Sequence, residues 1–364
     1  MLMALWVTPL ACGHPQNTKP SHSAPAAARG TGARPRPANM AAHHPAAPQA
    51  SPTPPPERAA APPFWVNPDS PAALHARRLR ERAPHDAELL ERLAAQPQGL
   101  WIGEWTGDVE QHVRGVVHKA QGQRPVFVLY NLPHRDCGRY SKGGLAKADA
   151  YRRWVRAVGS GLGEAPALVV LEPDALGLLD QCLTPAQQTE RLALLREAVV
   201  ELRSHAGTSV YLDAGHARWV PAPVMAKRLQ QAGVERANGF ALNTSNYVST
   251  EENTAYGLKL SELLGGTHFV IDTGRNGGGP APKDEWCNPP GRHVGAPPTT
   301  QTGNSLVDAW LWIKPPGESD GTCDGPPVAG AVGLPRCRCR RVSPTAPATG
   351  GPSRGPSGSN ARCS

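Results

Sequence analysis

Seven short apolar runs recur through the middle of the chain, separated for the most part by longer stretches with helical periodicity. Each run is short and rich in β-branched or aromatic side chains, which is typical of β-strands. The runs begin at Leu100, Pro125, Ala167, Ser209, Gly239, His268 and Ala309. Strands that alternate with helices form a parallel sheet, which is either open or closed into a barrel. The pattern therefore predicts an α/β domain.

Two of the intervening stretches carry clear helix signals. Apolar side chains recur with helical spacing from Ala148 to Leu162 and from Pro185 to His205. Thr184 precedes the second stretch as a predicted N-cap, and Pro185 fits its first turn. The second and third apolar runs are apolar on both faces, which is typical of strands buried on both sides of a parallel sheet.

Polar residues directly follow six of the runs, at the points where the predicted strands end. These polar segments are 131–136, 172–174, Asp213, 243–246, 272–275 and 314–320. Carboxyl ends of parallel strands meet at one rim, where ligands bind in β/α folds. The glycine-rich stretch after Arg275 leads into Pro and Lys instead of a helix, so it does not have the context of a phosphate-binding loop. We therefore predict a carboxylate-lined cleft at this rim.

The two ends of the chain differ from its middle. Residues 14–63 contain no Leu, Ile, Val, Phe, Trp or Tyr but 13 prolines, and residues 336–364 contain Arg, Pro, Gly and Ser with no acidic residue. Such segments bury too little apolar surface to offset the entropy lost on ordering. We predict a remnant signal or lipoprotein-like segment at 1–13, a disordered linker at 14–63, a folded domain at 64–330 and a disordered tail at 331–364.

The net charge of +8 does not indicate a nucleic-acid partner. Residues 14–63 carry a net charge of +4 and residues 336–364 carry +6, which leaves −2 on the rest of the chain. A surface that binds phosphates needs positive charge clustered on the folded part. We therefore predict no nucleic-acid partner. We also predict no transmembrane segment, because no stretch is apolar for the ~20 residues that a membrane span needs.

The predicted domain contains four cysteines, which are Cys137, Cys182, Cys287 and Cys323. They have no paired metal-site spacing, and the histidines form no ligand cluster, so we predict no metal site. Four cysteines allow three pairings, and the sequence alone does not choose among them. Two disulfides would fit an oxidising compartment, and we therefore predict a secreted protein.

The N-terminus is a poor signal peptide, because it is short and has no basic residue before its apolar stretch. The sequence Leu10-Ala11-Cys12 resembles a lipoprotein cleavage site, so Cys12 is a candidate for lipid attachment. A wrongly assigned start codon would explain the short segment equally well.

Five motifs follow one another along the predicted domain, most of them at the end of a strand. They are YNLPHRDC from Tyr130, VVLEPDALG from Val169, YLDAGHARW from Tyr211, EWCNPPGR from Glu285 and IKPPGESDGTC from Ile313. Together they resemble the motif series of glycoside hydrolase family 6, which comprises endoglucanases and cellobiohydrolases. The resemblance implies a distorted parallel β/α barrel of about seven strands, with an active-site cleft at their carboxyl ends. It also implies hydrolysis of β-1,4-glucosidic bonds with inversion at the anomeric carbon.

Inverting hydrolysis needs an acid on the glycosidic oxygen and a base for water, with the carboxyl groups roughly 6.5–9.5 Å apart. By resemblance, Asp174 is the general acid, and Asp136 is the neighbouring carboxylate that helps to raise its pKa. Asp320 matches a position proposed as the base or as electrostatic support, and Asp213 tunes or orients the acid. Taken singly, Asp136 could equally be a loop or helix cap, and Asp213 a strand-end turn residue.

The resemblance also implies residues that hold the sugar. Tyr130 resembles a tyrosine that presses on the distorted sugar, and Ser141 matches a loop serine that holds water; without the motif, they would be a core residue and a turn former. Trp65, Trp219 and Trp286 resemble tryptophans that stack on glucosyl rings, although each could simply pack in the core. Candidates for binding sugar hydroxyls, each also explicable as a solvated or loop-bracing residue, are Arg135, His216, Asn243, Arg275, Lys314 and Glu318.

The same resemblance pairs Cys137 with Cys182 and Cys287 with Cys323, which are 45 and 36 positions apart. These short loops resemble those of endoglucanases and favour endo attack. The family's chemistry implies no cofactor, and the expected partner is a β-1,4-glucan such as cellulose. We expect the enzyme to act as a monomer.

The chain departs from the family pattern after Gly330. An aromatic and acidic stretch with a terminal helix normally follows, but this chain continues with AVGLPRCRCRR, as a frame-shifted gene would. Two hypotheses of different class remain, an active endoglucanase and a non-catalytic glucan binder or folding-impaired derivative. A third possibility, another β/α-barrel polysaccharide hydrolase, would retain carboxylate pairs but not this motif order.

Overall fold

The computed structural model describes residues 63–138, 141–282 and 285–321. The predicted leader, nearly all of the predicted linker and the predicted tail lie outside the described residues, as do Cys12 and Cys323. No described helix has both the length and the apolar character that crossing a membrane would require.

The seven predicted strands all form, and they pair in chain order as a single parallel sheet. They are β1 (Gly99–Ile102), β2 (Val126–Leu129), β3 (Ala167–Leu171), β4 (Thr208–Asp213), β5 (Gly239–Leu242), β6 (His268–Asp272) and β7 (Val307–Leu311). The two edges of the sheet also meet, since the Gly99 N–H donates to the Trp312 carbonyl at 2.8 Å. The indole N–H of Trp101 donates to the Ile313 carbonyl at 2.9 Å. The prediction of a distorted parallel barrel is confirmed.

Seven α-helices accompany these strands in the described chain. They are α1 (Pro71–Leu79), α2 (Pro84–Ala94), α3 (Val109–Ala120), α4 (Ala148–Leu162), α5 (Pro185–Arg203), α6 (Ala222–Gln231) and α7 (Thr250–Leu263). The bounds of α4 match the prediction, whereas α5 ends two residues before the predicted His205. Thr184 caps α5 together with Gln187 in a reciprocal capping box, as its hydroxyl side chain favours.

The core has two layers because successive strand residues point to opposite faces of the sheet. In β2, Val126 and Val128 belong to the apolar cluster inside the barrel, and Phe127 and Leu129 belong to the cluster between sheet and helices. All four side chains are buried. Burial on both faces explains the continuous apolar runs, and it confines the polar groups to the ends of the strands.

Candidate active site

Asp174 follows β3 at the carboxyl rim and lies against Asp213, the last residue of β4. The Asp174 N–H donates to Asp213 Oδ1 at 3.0 Å, and the Gly215 N–H donates to the same oxygen at 3.0 Å. Asp174 has a φ of 68°, a conformation that few non-glycine residues adopt. The Asp213 carboxylate therefore fixes the turn that presents Asp174 at the rim.

Burial raises the pKa of Asp174 well above that of an ordinary aspartate, and the negative charges of Asp213 and Asp136 raise it further. Burial also raises the pKa of Asp213. Two carboxyl groups that share a buried site cannot both ionise at low cost, so a proton is retained there at higher pH. This arrangement can deliver a proton to a bound substrate near neutral pH.

Tyr130 and Asp136 belong to the loop that follows β2, beside Asp174. Burial raises the pKa of the Tyr130 hydroxyl, and the charges of Asp174 and then Asp136 raise it further, so both carboxyl groups act on this phenol. The Asp136 carboxylate accepts the Ser141 N–H at 2.6 Å. The structure thus brings together Tyr130, Asp136, Ser141, Asp174 and Asp213.

Arg135 is buried behind Tyr130, and every one of its N–H groups has a protein acceptor. It pairs with both oxygens of Glu104, at 2.7 and 3.0 Å. It also donates to the Tyr130 carbonyl at 2.7 Å, to the Ser141 carbonyl at 2.7 Å and to the Lys142 carbonyl at 3.3 Å. These contacts join the ends of β1 and β2 to the Ser141 loop. Arg135 was predicted to bind sugar hydroxyls, but its contacts are those of a residue that positions the loop.

Asp320 occupies another part of the rim, beyond β7. Arg275 Nη1 donates to both Asp320 oxygens, at 2.8 and 2.9 Å, and its guanidinium lies 4.5 Å from the centre of the Tyr247 ring. Asp320 Oδ2 accepts the Asn288 N–H at 3.1 Å. This carboxylate therefore forms an ion pair with a buried arginine. Arg275 was predicted to contact sugar hydroxyls, and that stays a prediction; in the structure the guanidinium forms this ion pair.

Lys314, Glu318 and Asn243 also lie at the rim. Lys314 Nζ is 3.4 Å from Glu318 Oε2 and 5.6 Å from the centre of the Trp101 ring. Both side chains remain partly exposed, so they can reach a ligand. Asn243 is fully buried and donates to the carbonyls of Val248 at 3.0 Å and Asp272 at 2.9 Å, which makes it a brace between β5 and β6.

Two of the predicted stacking tryptophans lie on rim loops. Trp286 is 41% exposed. Trp219 is partly buried, with its ring 5.6 Å from that of His216 and lying across Gly177, where an added Cβ would be 2.7 Å from it. The third residue, Trp65, does not reach the rim. The backbone N–H of Trp65 donates to the Arg124 carbonyl, just before β2 begins. Trp65 is only 7% exposed, so it packs at the amino end of the barrel.

Two further buried carboxylates tie rim loops together, and no role was predicted for either of them. Glu172 accepts the N–H groups of Asn131, at 3.0 and 3.1 Å, and of Leu132, at 3.0 Å. Asp272 accepts four N–H groups, from Gly274, Ile313, Ser245 and Lys314, at 2.9 to 3.2 Å. The only signal in the sequence was their position, immediately at the end of an apolar run. Each carboxylate fixes loops that begin on neighbouring strands.

The buried carboxylates make stability depend on pH in a defined direction. Burial raises the pKa of Glu172 to about 7 and that of Asp272 to about 6. A carboxyl group whose pKa is raised on folding binds its proton more tightly in the folded state. The group therefore stabilises the folded state fully when the pH is below its pKa in the unfolded chain. This stabilisation is lost as the pH rises through its pKa in the folded protein. For Glu172 we expect a loss of roughly 2–3 kcal/mol between pH 5 and pH 8.

Glu172→Gln tests this expectation, because glutamine resembles the protonated acid and does not titrate. We subtract the melting temperature of the unmodified protein from that of the variant. This difference should be several degrees larger at pH 8 than at pH 5, because only the unmodified protein loses stability over that range. Calorimetry at both pH values measures the difference. Glu197→Gln, at an exposed helix position, is the control and should show no such trend. A constant difference for Glu172→Gln would mean that Glu172 does not titrate in this range.

The predicted disulfide between Cys137 and Cys182 is confirmed, with the two Cα atoms 5.6 Å apart. It links the loop after β2 to the segment before α5 and so holds the Asp136 turn beside the Asp174 turn. Cys287 is also disulfide-bonded. Its predicted partner, Cys323, lies outside the described residues. Within the ranges described, no group of three or more His, Cys, Asp or Glu side chains could hold a metal ion.

Known proteins resemble this chain both in sequence and in architecture. Endoglucanase A of Cellulomonas fimi is 45% identical over 251 residues, which are 67% of this chain but only 54% of that protein. Endoglucanase 1 of Streptomyces halstedii is 42% identical over 272 residues, which are 71% of this chain and 82% of that protein. The present chain thus spans little more than half of the first relative and most of the second.

Among solved structures, the endoglucanase Cel6 from Mycobacterium tuberculosis, in complex with a thio-linked cellobiosyl cellobioside, matches with a TM-score of 0.69 and 48% identity. The match covers 73% of this chain and 92% of that one. The sequence model for glycosyl hydrolases family 6 matches residues 59–330, which include all seven strands and every rim residue described above. The chain therefore belongs to glycosyl hydrolases family 6.

Proposed function

We propose that this protein hydrolyses β-1,4-glucosidic bonds within cellulose or related β-glucans, with Asp174 as the general acid. The observation that carries the proposal is the position of Asp174 at the end of β3, where its backbone N–H meets Asp213 and where burial, followed by the charges of Asp213 and Asp136, raises its pKa. The endoglucanases of Cellulomonas fimi and Streptomyces halstedii support the substrate class. The protein would act outside the cell and as a monomer.

The remaining rim residues would act either at the scissile bond or on the sugar units that flank it. Tyr130 would press on the sugar at the scissile bond, with Asp136 and Ser141 beside it. Asp320, paired with Arg275, would stabilise the positive charge that develops on the sugar or accept a proton relayed through water. Trp219 and Trp286 would stack on glucosyl rings, and Lys314, Glu318 and His216 would contact hydroxyl groups.

We propose that the reaction inverts the anomeric carbon. In an inverting enzyme, water attacks from the face opposite the leaving group, so the first product carries the α configuration. Proton NMR of the reducing-end sugar during the first minutes of hydrolysis should show the α anomer ahead of its equilibrium fraction. A β anomer as the first product would exclude single-step inversion and would require a covalent intermediate.

We propose that the attack is endo. The endoglucanases of Cellulomonas fimi and Streptomyces halstedii, which are 45% and 42% identical to this chain, support this mode of attack. The viscosity of carboxymethyl-cellulose should therefore fall well before reducing ends accumulate. Release of cellobiose with little change in viscosity would contradict endo attack. Retention on cellulose with no turnover of the soluble polymer would instead favour the non-catalytic binder.

A further inference from the structure

Trp105 lies at the rim but belongs to none of the five motifs. It follows β1 in the short turn Glu104–Thr106 and is 51% exposed, the highest value for a large apolar side chain in the described parts of the chain. Exposing so much of an indole ring to water is unfavourable. Single exposed apolar residues are common on proteins, so exposure alone does not indicate a role.

The Trp105 ring is nevertheless held in place. The Arg135 guanidinium lies 5.2 Å from the centre of the ring, and an added Cβ at Gly103 would be 2.6 Å from its edge. Arg135 is itself fixed by Glu104 and by the carbonyls of Tyr130 and Ser141. A side chain that is both exposed and fixed loses little further freedom when a ligand packs on it, which favours binding.

Trp105 is also close to the proposed reaction site. The same guanidinium lies 4.6 Å from the centre of the Tyr130 ring, so a single planar group separates the two aromatic residues. Tyr130 in turn lies within the electrostatic influence of Asp174. A glucan that contacts Tyr130 and continues toward the β1 side of the rim would therefore pass over Trp105.

We propose that Trp105 is a stacking platform for one further glucosyl unit, on the β1 side of the cleft beyond Tyr130. The apolar C–H face of a pyranose would pack on the exposed face of the indole. The inference rests on the proposed function for the identity of the ligand, a β-1,4-linked glucan. Trp105 would increase the affinity for longer glucans and would take no part in bond cleavage.

The test measures binding of cellotriose, cellotetraose, cellopentaose and cellohexaose by calorimetry, with Asp174→Asn as the background so that no ligand is cleaved. Affinity should rise at the step where the added unit reaches Trp105. In Trp105→Ala that step should shrink by about three- to tenfold, while shorter ligands bind as before. Trp105→Phe, which keeps a ring against Arg135, should retain most of the step. Leu263→Ala is the control, because Leu263 is 44% exposed at the C-terminal end of α7.

An equal loss of affinity at every chain length in both Trp105 variants would mean that Trp105 only supports Arg135, and an unchanged series would also overturn the proposal. The outcome is separable from that of the proposed function. If the unmodified protein cleaves carboxymethyl-cellulose and the series is unchanged, only the role of Trp105 fails. If the protein does not cleave and the step still depends on Trp105, the hydrolase proposal fails and the platform stands.

Discussion

Asp174→Asn should reduce hydrolysis of unactivated cellulose or carboxymethyl-cellulose by at least about 10²–10⁴-fold, the usual contribution of a general acid. Asparagine retains the size of the side chain but has no acidic proton for the leaving sugar. The backbone N–H of residue 174 would still donate to Asp213, so the turn should keep its shape. Initial rates on the polymer, together with calorimetric binding of cellohexaose, measure the two effects, and binding should be largely unchanged.

A substrate whose leaving group needs no protonation provides the sharper control. An aryl glucoside with an acidic phenol should retain a much larger share of its rate in Asp174→Asn than cellulose does. Asp69→Asn is a matched variant of the same type, because Asp69 is exposed and pairs with the exposed side chains of Arg77 and Lys119. It should leave both rates near those of the unmodified protein. Normal cleavage of cellulose by Asp174→Asn would show that the acid is another residue.

Glu104→Gln should lower kcat by about tenfold and destabilise the fold by about 2 kcal/mol. The Arg135 side chain is only 5% exposed, and loss of its anionic partner leaves a buried charge unbalanced. Glu104 is 36% exposed, so solvent reduces the cost below that of a fully buried pair. Arg135 donates hydrogen bonds to the carbonyls of Ser141 and Lys142. A small displacement of that loop would misplace groups around the reaction site.

Hydrogen exchange separates this loop effect from general destabilisation. Peptides that cover residues 141–145 should exchange faster in Glu104→Gln, whereas peptides from α5 should not. The control is Glu197→Gln, which breaks a second two-point pair, with Arg152, at 2.6 and 3.3 Å. That pair is exposed between two helices, so its loss should cost about 0.5 kcal/mol or less and leave kcat unchanged. If Glu104→Gln and Glu197→Gln changed kcat and hydrogen exchange equally, Glu104 would have no specific role in positioning the loop.

Local pattern was sufficient for the elements of this fold, because the information lies within each segment. The runs that became β2 and β3 are apolar at every buried position, which a strand inside a parallel sheet requires. Thr184 and Pro185 marked the start of α5 through their own preferences for the cap and the first turn. The rim was predictable for the same reason, since parallel strands bring all their carboxyl ends to one edge.

The motifs also determined which side chains the rim carries, including Asp174 and its neighbours Asp136 and Asp213. They did not determine what each side chain contacts. Arg135 looked equally suited to a sugar hydroxyl, but the fold places Glu104, 31 positions earlier, against its guanidinium and commits its donors to the protein. Trp65 looked like a stacking residue until the structure placed it at the opposite end of the barrel.

Tertiary structure alone decided the contacts of Glu172, Asp272 and Trp105. Glu172 meets the backbone of Asn131 across 41 positions of chain, and no local preference encodes that meeting. Burial of a carboxylate, and hence the rise of its pKa, depends on everything packed around it and not on its neighbours in sequence. The sequence by itself determined strands, helices, the rim and the family motifs, because these follow from short-range periodicity and residue type. Which rim groups are charged, fixed or free to meet a ligand followed from contacts between distant residues, and those exist only in the folded chain.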